Sequence, residues 1–370
     1  MAEHLPASTD PIPVTILTGF LGSGKTTALN ALLALPRLEG TLAIINEFGE
    51  IGLDHLLLEV SQERLTLLDN GCVCCTVRDD LIETLKAIDA RRGSPDLPPV
   101  NRVILETTGL ADPAPILHAL MIEPDLAERY RIDGVVTTLD AVNGAETLDS
   151  HDQARKQLAV ADRVLLTKTD IATPAQIAAA RLRIAAINGT SEVRTIIDGA
   201  LTADDMLDVG TFGQRHETQR FAGWAEDIVR RVQNSCHHDD CLDAGCMHPA
   251  HHDHDHSHNT DIASYAFVLD APVQWSQFRT WLDYITALKG KDLLRIKGLV
   301  QIAEHPGQPL VLHGVQHVFH PPRRLEAWPS DDHRTRLVFI VKNIPRAAIE
   351  KTMSRFAAVA PERIRGVVVA

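Results

Sequence analysis

Basic charge is in deficit along this chain, and what is missing narrows its function before any motif is read. Lys and Arg number 36 against 49 Asp and Glu, a formal net charge of −13. No basic stripe exists to neutralise a phosphate backbone, so nucleic acid is not expected as the main partner. No apolar run reaches the roughly 20 residues of a membrane span, and no membrane partner is expected. The opening Met-Ala-Glu-His is acidic and lacks the basic n-region and apolar stretch of a secretory leader, which points to the cytoplasm. Cysteine is sparse: six residues in a chain of 370 suit metal binding or reactive thiols rather than a disulfide framework. Internal repeats are also absent. Yet the six cysteines fall in two clusters, Cys72/Cys74/Cys75 and Cys236/Cys241/Cys246.

The length allows two domains, each with its own core. Residues 1–12 read as a flexible tail. From Val14, short β-branched runs alternate with helical patterns: "VTILTG", "TLAIIN", "NRVILET", "GVVTTLD" and "DRVLLTK" as strands, with "KTTALNALLAL", "PAPILHALM", "HDQARKQLAVA" and "PAQIAAARLRIAAI" as helices between them. Near-continuous apolar strands imply burial on both faces, hence an α/β domain over residues 13–220 with a doubly wound, mainly parallel sheet. Its ligands are expected at the carboxyl ends of the strands. Residues 221–235 read as a linking helix, and 236–260 as a Cys/His-rich flexible segment without core-forming residues. Residues 261–370 read as a smaller α+β domain, its sheet covered by helices on one face. The strand-like runs there are "IASYAFVLD", "LLRIKGLVQIA", "PLVLHGVQHVFH" and "TRLVFIVK", with helices over Gln274–Leu288 and Pro345–Phe356.

"GFLGSGKT" (Gly19 to Thr26) fits the phosphate-binding pattern G-x-x-x-x-G-K-[ST] in the required context, a strand before it and a helix after it. Gly19, Gly22, Ser23, Gly24 and the following Thr27 are expected to line the phosphates with backbone N–H groups. Lys25 is expected on the β/γ-phosphates and Thr26 on Mg²⁺. "TKTD" (Thr167 to Asp170) ends another strand-like run. There Asp170 can accept hydrogen bonds from guanine N1–H and N2–H₂, Lys168 can lie along the ring face, and a pocket so built rejects adenine. In "ETTGLADP", Glu106 is expected in the Mg²⁺ shell and Gly109 as the pivot of a γ-phosphate-sensing switch. "NEFGEIGLD" (Asn46 to Asp54) is the expected first switch, although a plain acidic loop would read the same way.

These motifs, together with "NGCVCCTVRDDL" and "LLRIKGLV", resemble the CobW-like family of P-loop GTPases, relatives of nickel-delivery GTPases. The resemblance spans nearly the whole chain. It implies a GTPase that carries a transition metal, usually zinc, on a C-x-C-C motif and transfers it to apo-metalloprotein clients. Some members instead serve cobalt in cobalamin synthesis or iron in nitrile hydratase, and a GTPase for cobalt or nickel insertion is the alternative for this chain. The chain departs from the commonest guanine motif in having Thr167 where Asn is usual, which is expected to loosen support of the loop while leaving Asp170 in place.

Thiolates at Cys72, Cys74 and Cys75 are soft ligands suited to Zn²⁺ or Cu(I). One local trio does not close a tetrahedron, and Glu47 or Glu50 from the first switch is expected to complete it. Buried small hydrophobes or a redox pair remain as alternatives. The histidine segment holds eight of the 18 histidines. In it Cys236, His237, His238, Cys241, Cys246, His251, His252, His254, His256 and His258 are expected to collect divalent ions weakly, the alternative being a solvated linker. No arginine finger is visible, so slow intrinsic hydrolysis of GTP to GDP is expected. A homodimer is left open, and so is a non-catalytic zinc store or sensor.

Overall fold

The computed structural model describes residues 11–35, 38, 40–45, 65–67, 76–91, 99–197, 199–209, 223–230, 232 and 262–369. Two compact units emerge, Met1–Ile184 with Ser191–Glu217, and Ala185–Thr190 with Thr218–Ala370.

The first unit is a seven-stranded sheet in the order β3-β2-β4-β1-β5-β6-β7. Its strands are β1 Ile12–Gly19, β2 Thr41–Ile45, β3 Leu65–Leu67, β4 Arg102–Glu106, β5 Tyr130–Asp140, β6 Arg163–Thr167 and β7 Glu192–Thr195. Every pairing is parallel. The apolar runs behave as expected: β2 and β6 are buried at every position, and β1 at all but Pro13. Helix α1 (Lys25–Leu33) packs Ala28, Leu29 and Leu32 onto Leu17, Ile104 and Val136. The strand order reverses at β1, and ligands of such sheets bind where the order reverses, beyond the strands' carboxyl ends. The remaining helices are α2 Thr76–Ala90, α3 Ala114–Ile122, α4 Pro124–Ala127, α5 Gly144–Ser150, α6 Asp152–Ala159, α7 Pro174–Asn188 and α8 Ala203–Met206. The short edge strands β3 and β7 were not anticipated, since neither carries a long apolar run.

A bulge lies beside β1: its register with β5 slips between Val14 and Thr15, leaving Asp133 as the extra residue. A bulge re-aims the side chain it carries. Here Oδ2 of the fully buried Asp133 accepts hydrogen bonds from Thr15 Oγ1 (3.0 Å), Arg102 Nη1 (3.0 Å) and the Asp208 backbone N–H (2.8 Å).

The second unit is an antiparallel sheet in the order β11-β10-β9-β13-β8-β14, with β12 pairing β10. Its strands are β8 Ile262–Leu269, β9 Leu293–Val300, β10 Leu310–Val315, β11 Val318–Phe319, β12 Arg323–Arg324, β13 Thr335–Lys342 and β14 Ile364–Val368. Helices α9 (Trp275–Lys289) and α10 (Arg346–Phe356) cover one face, placing Phe278, Trp281, Ile349 and Met353 on Phe267, Leu312, Leu337 and Phe339. On Leu299, Val311 and Leu325 pack Trp224, from the helical residues 223–230, and Trp328. The run "PLVLHGVQHVFH", which reads as one strand, breaks into a β10–β11 hairpin because Gln316 turns to φ 53°. Among the described residues no helix is long and apolar enough to cross a membrane.

Removing the Asp133 carboxylate leaves Arg102 only the more distant Asp208 carboxylate, at 3.9 Å, and strips the Thr15 hydroxyl and the Asp208 N–H of their acceptor. Asp133→Ala is expected to lower stability by about 3 kcal/mol, read as a shifted midpoint in urea unfolding.

Candidate functional site

The phosphate-binding turn runs from Gly19, the last residue of β1, through the exposed tip at Gly22 to the first turn of α1. Gly24 precedes α1 at φ 94°, a conformation costly for any residue with a Cβ. No side chain caps this helix, so its first N–H groups are left to an anion. Lys25 is buried, and its Nζ donates to the Phe20 carbonyl at 3.3 Å, which holds the ammonium against the loop. Thr26 Oγ1 donates to Glu106 Oε1 at 2.8 Å. The hydroxyl and carboxylate expected to share Mg²⁺ therefore stand together, and both are hard oxygen donors of the kind that ion takes. Thr27 is exposed and faces the turn at Gly199.

Beneath the turn lies a set of buried hydroxyls. Ser23 Oγ and Thr138 Oγ1 share a 2.6 Å hydrogen bond, Thr138 Oγ1 lies 3.3 Å from the Thr18 carbonyl, and Thr107 Oγ1 donates to Thr18 Oγ1 at 2.8 Å. Thr167 joins this set: its hydroxyl lies 2.7 Å from the Ser23 carbonyl and 3.2 Å from that of Leu139. Thr167 thus ties the phosphate-binding turn to β6, its short hydroxyl reaching the loop backbone directly.

Past Thr167 the chain turns sharply. Lys168 has φ 56°, a strained value for a side-chain-bearing residue. Its Nζ donates to Asp140 Oδ2 at 2.7 Å, and Thr169 Oγ1 donates to the Ile196 carbonyl at 3.0 Å. Asp140, at the end of β5, also accepts the N–H groups of Val142 and Asn143 and the Asn143 side-chain amide. Burial pushes the Asp140 carboxyl up, but the hydrogen bonds from Lys168, Val142 and Asn143 outweigh it and hold it below its ordinary value. Asp170 is exposed, its carboxylate open to a base. Asp140 is absent from the sequence reading. Its one signal is an acid at a strand's carboxyl end, shared with Glu106.

After β4 the chain passes against the P-loop. A Cβ on Gly109 would lie 2.6 Å from Leu21 Cδ2 and 2.8 Å from the Leu21 backbone N, so only glycine fits. Gln157 of α6 donates to the carbonyls of Gly109 and Ala111. No sequence signal marks Gln157, which reads as one polar position in an amphipathic helix.

The metal-binding expectations on Glu47, Glu50, Cys72, Cys74 and Cys75, and those on residues 236–258, lie outside the described residues. Among the described residues no group of three or more His, Cys, Asp or Glu forms a metal site. The described ends that flank the cysteine trio are Leu67 of β3 and Thr76 of α2. Leu67 pairs with Ile45, Ile45 with Glu106, and Glu106 with Leu17 of β1. Two strand spacings, roughly 10 Å, therefore separate Leu67 from Glu106.

Asp140→Ala frees Lys168 to leave its strained conformation. Affinity for a fluorescent GDP analogue is expected to fall about tenfold, one hydrogen bond to a charged group. In the wild type this contact persists above the ordinary carboxyl value of 3.8 and is lost only as pH falls through the lowered one. Its contribution to affinity is therefore flat from about pH 5 to 8.

Residues 13–195 match the family model described as CobW/HypB/UreG, nucleotide-binding domain, and residues 262–357 match that of the cobalamin synthesis protein cobW C-terminal domain. The chain is 31% identical to the zinc chaperone YjiA of Escherichia coli, over 92% of this chain and 97% of that protein. It is 29% identical to the zinc-regulated GTPase metalloprotein activator 1 of Schizosaccharomyces pombe, over 94% of this chain and 86% of the other. The structure resembles that of zinc-bound YjiA GTPase from Escherichia coli with a TM-score of 0.64 at 26% identity, covering 94% of this chain and 99% of that one. From motifs, fold and relatives alike, the chain belongs to the CobW/HypB/UreG family, with a P-loop GTPase fold and a CobW-type C-terminal domain.

Proposed function

We propose that this protein is a GTP-hydrolysing metallochaperone that binds zinc on Cys72, Cys74 and Cys75 and passes it to apo-metalloprotein clients. One observation carries the reading. The connection that holds the three cysteines leaves β3 at Leu67 and enters α2 at Thr76, and Leu67 is in register with Ile45, Glu106 and Leu17 along the sheet end that bears the P-loop. A parallel sheet gathers all its carboxyl ends on one side, so a thiol-rich connection there shares an end with the nucleotide. Cys72 follows Leu67 by five positions, and Cys75 directly precedes α2. A helix N-terminus favours thiolate. The downstream anchor is firm: Tyr130 donates its hydroxyl to the Leu85 carbonyl of α2 at 2.9 Å, and Arg129 pairs with Asp89.

In this reading Lys25 and the first turn of α1 hold the phosphates of GTP. Thr26 and Glu106 hold Mg²⁺, which when bound supplies positive charge against the β- and γ-phosphates. Asp170 reads the guanine edge, with Lys168 held beside it by Asp140. Gly109 lies where its loop can respond to the terminal phosphate, and Glu47 or Glu50 completes the thiolate grip on zinc. The relatives' names, zinc chaperone and zinc-regulated GTPase metalloprotein activator, support zinc over cobalt or nickel as cargo. A magnitude explains the nucleotide: zinc held at about 10⁻¹² M, even if captured at about 10⁸ M⁻¹s⁻¹, leaves over a time on the order of hours. Removing one ligand when GTP is exchanged or hydrolysed shortens that time.

Zinc delivery to an apo-metalloenzyme, followed as recovered client activity, should require GTP and should be lost in Lys25→Ala. Transfer by Lys25→Ala at the wild-type rate would instead describe a passive zinc store. Zinc affinity measured by chelator competition should also differ between the GDP and GTP-analogue forms, and equal affinities would end the coupling.

The Cys/His-rich stretch is proposed to collect zinc for the trio. Deletion of residues 236–259 should lower the zinc bound per chain in metal analysis while leaving the rate of GTP hydrolysis unchanged. Undiminished stoichiometry would show that the stretch is only a linker.

A further inference from the structure

The loop that follows β4 is gripped from two sides. On one side Gly109 rests on the Leu21 backbone of the P-loop so closely that no side chain fits between them. On the other stands Gln157 of α6, fully buried, with Nε2 donating to the Gly109 carbonyl at 3.2 Å and to the Ala111 carbonyl at 3.0 Å. The backbone carbonyl of Gln157 accepts Thr137 Oγ1 at 3.0 Å, which fixes this turn of α6 to β5. The preceding Lys156 pairs with Asp112 at 3.6 Å. At the start of α6, the ring of His151 stacks on Phe20 of the P-loop, centroids 4.4 Å apart. One short helix thus touches both loops that border the phosphate end of the site.

The amide is used asymmetrically. Both of its donors are engaged, while its Oε1 is buried with no hydrogen-bond partner among the described residues. An apolar side chain of the same length would fill this place without desolvating an idle acceptor, so what the amide adds is its pair of donors. Those donors set a direction: a planar trans peptide whose Gly109 carbonyl turns toward α6 turns the Leu110 N–H away from it.

We infer that Gln157 is a positioning residue that aims the Gly109–Ala111 loop at the terminal phosphate, so that discrimination of GTP from GDP runs through α6. The inference rests on the GTPase reading above. GDP contacts the P-loop and the base-reading loop but lacks the phosphate this loop would meet, so the two nucleotides should respond differently to loss of the latch.

The test uses the full chain and compares wild type with Gln157→Met, which keeps the length and removes both donors. Loss of two neutral hydrogen bonds should weaken binding of a non-hydrolysable GTP analogue about tenfold and lower kcat by a similar factor. The GDP dissociation constant should stay within about twofold, and the thermal midpoint should fall by a few degrees, since two carbonyls lose their donor while the idle acceptor is also gone. Gln157→Glu is the second variant: its carboxylate faces the same two carbonyl oxygens, and it should recover analogue binding relative to wild type as pH is lowered and the acid gains a proton to donate. An unchanged ratio of analogue to GDP affinity in either folded variant would overturn the inference. So would equal losses for both nucleotides, which mark a merely structural role. A wild-type protein that neither hydrolyses GTP nor distinguishes it from GDP would instead sink the GTPase reading itself.

Discussion

Turning a run of backbone N–H groups toward one anion leaves the carbonyls of the same loop facing the protein, and each that is buried needs a donor. This constraint organises the nucleotide end of the molecule. Side chains supply donors: Thr167 reaches the Ser23 carbonyl, Lys25 joins the Ser23 N–H on that of Phe20, and Thr138 lies within reach of that of Thr18. Two of these three contacts come from other strands, Thr167 on β6 and Thr138 on β5, so the loop is shaped by the sheet as well as by its own sequence. The glycines permit the conformation, and the hydroxyl-bearing strand ends hold it.

The parallel sheet adds a second consequence. Because every strand of the first unit runs the same way, the carboxyl ends of β1, β2, β3 and β4 lie in one row, with Leu17, Glu106, Ile45 and Leu67 in register. The hydroxyl of Thr26 and the carboxylate of Glu106, both hard oxygen donors, stand at one part of that row. The connection whose sequence holds Cys72, Cys74 and Cys75 departs from another, at Leu67. Under the proposed function, two metals of opposite preference would be kept on separate ligand sets, since Mg²⁺ takes oxygen and zinc favours sulfur and nitrogen. Under that proposal, a loop movement driven at the first set has only a short span of sheet edge to cross to the second.

Much of the fold was legible because its signals are local or periodic. Apolar runs buried on both faces mark β1, β2, β4, β5 and β6, and the spacing of "GFLGSGKT" between a strand and a helix leaves little freedom in what it does. The helices over Trp275–Lys289 and Arg346–Phe356 were legible for the same reason. The edge strands β3, β7 and β14 were not, because pairing with a neighbour rather than hydrophobic pattern makes them strands. The hairpin at Gln316 escaped notice because a left-handed glutamine carries no turn signature.

By itself the sequence determined the P-loop GTPase class, since residue types at fixed local offsets, Gly24-Lys25-Thr26 and Lys168 with Asp170, form patterns that few other folds carry. It also determined that the trio Cys72, Cys74 and Cys75 stands close in the chain, whatever the fold. Only the tertiary structure decided that Asp140 holds Lys168, that Thr167 reaches Ser23, and that Gln157 grips the loop at Gly109. Those partners lie 28, 144 and 48 positions apart in the chain. Contacts at such separations exist only once a sheet has stacked its strands, and no local pattern of residues encodes them.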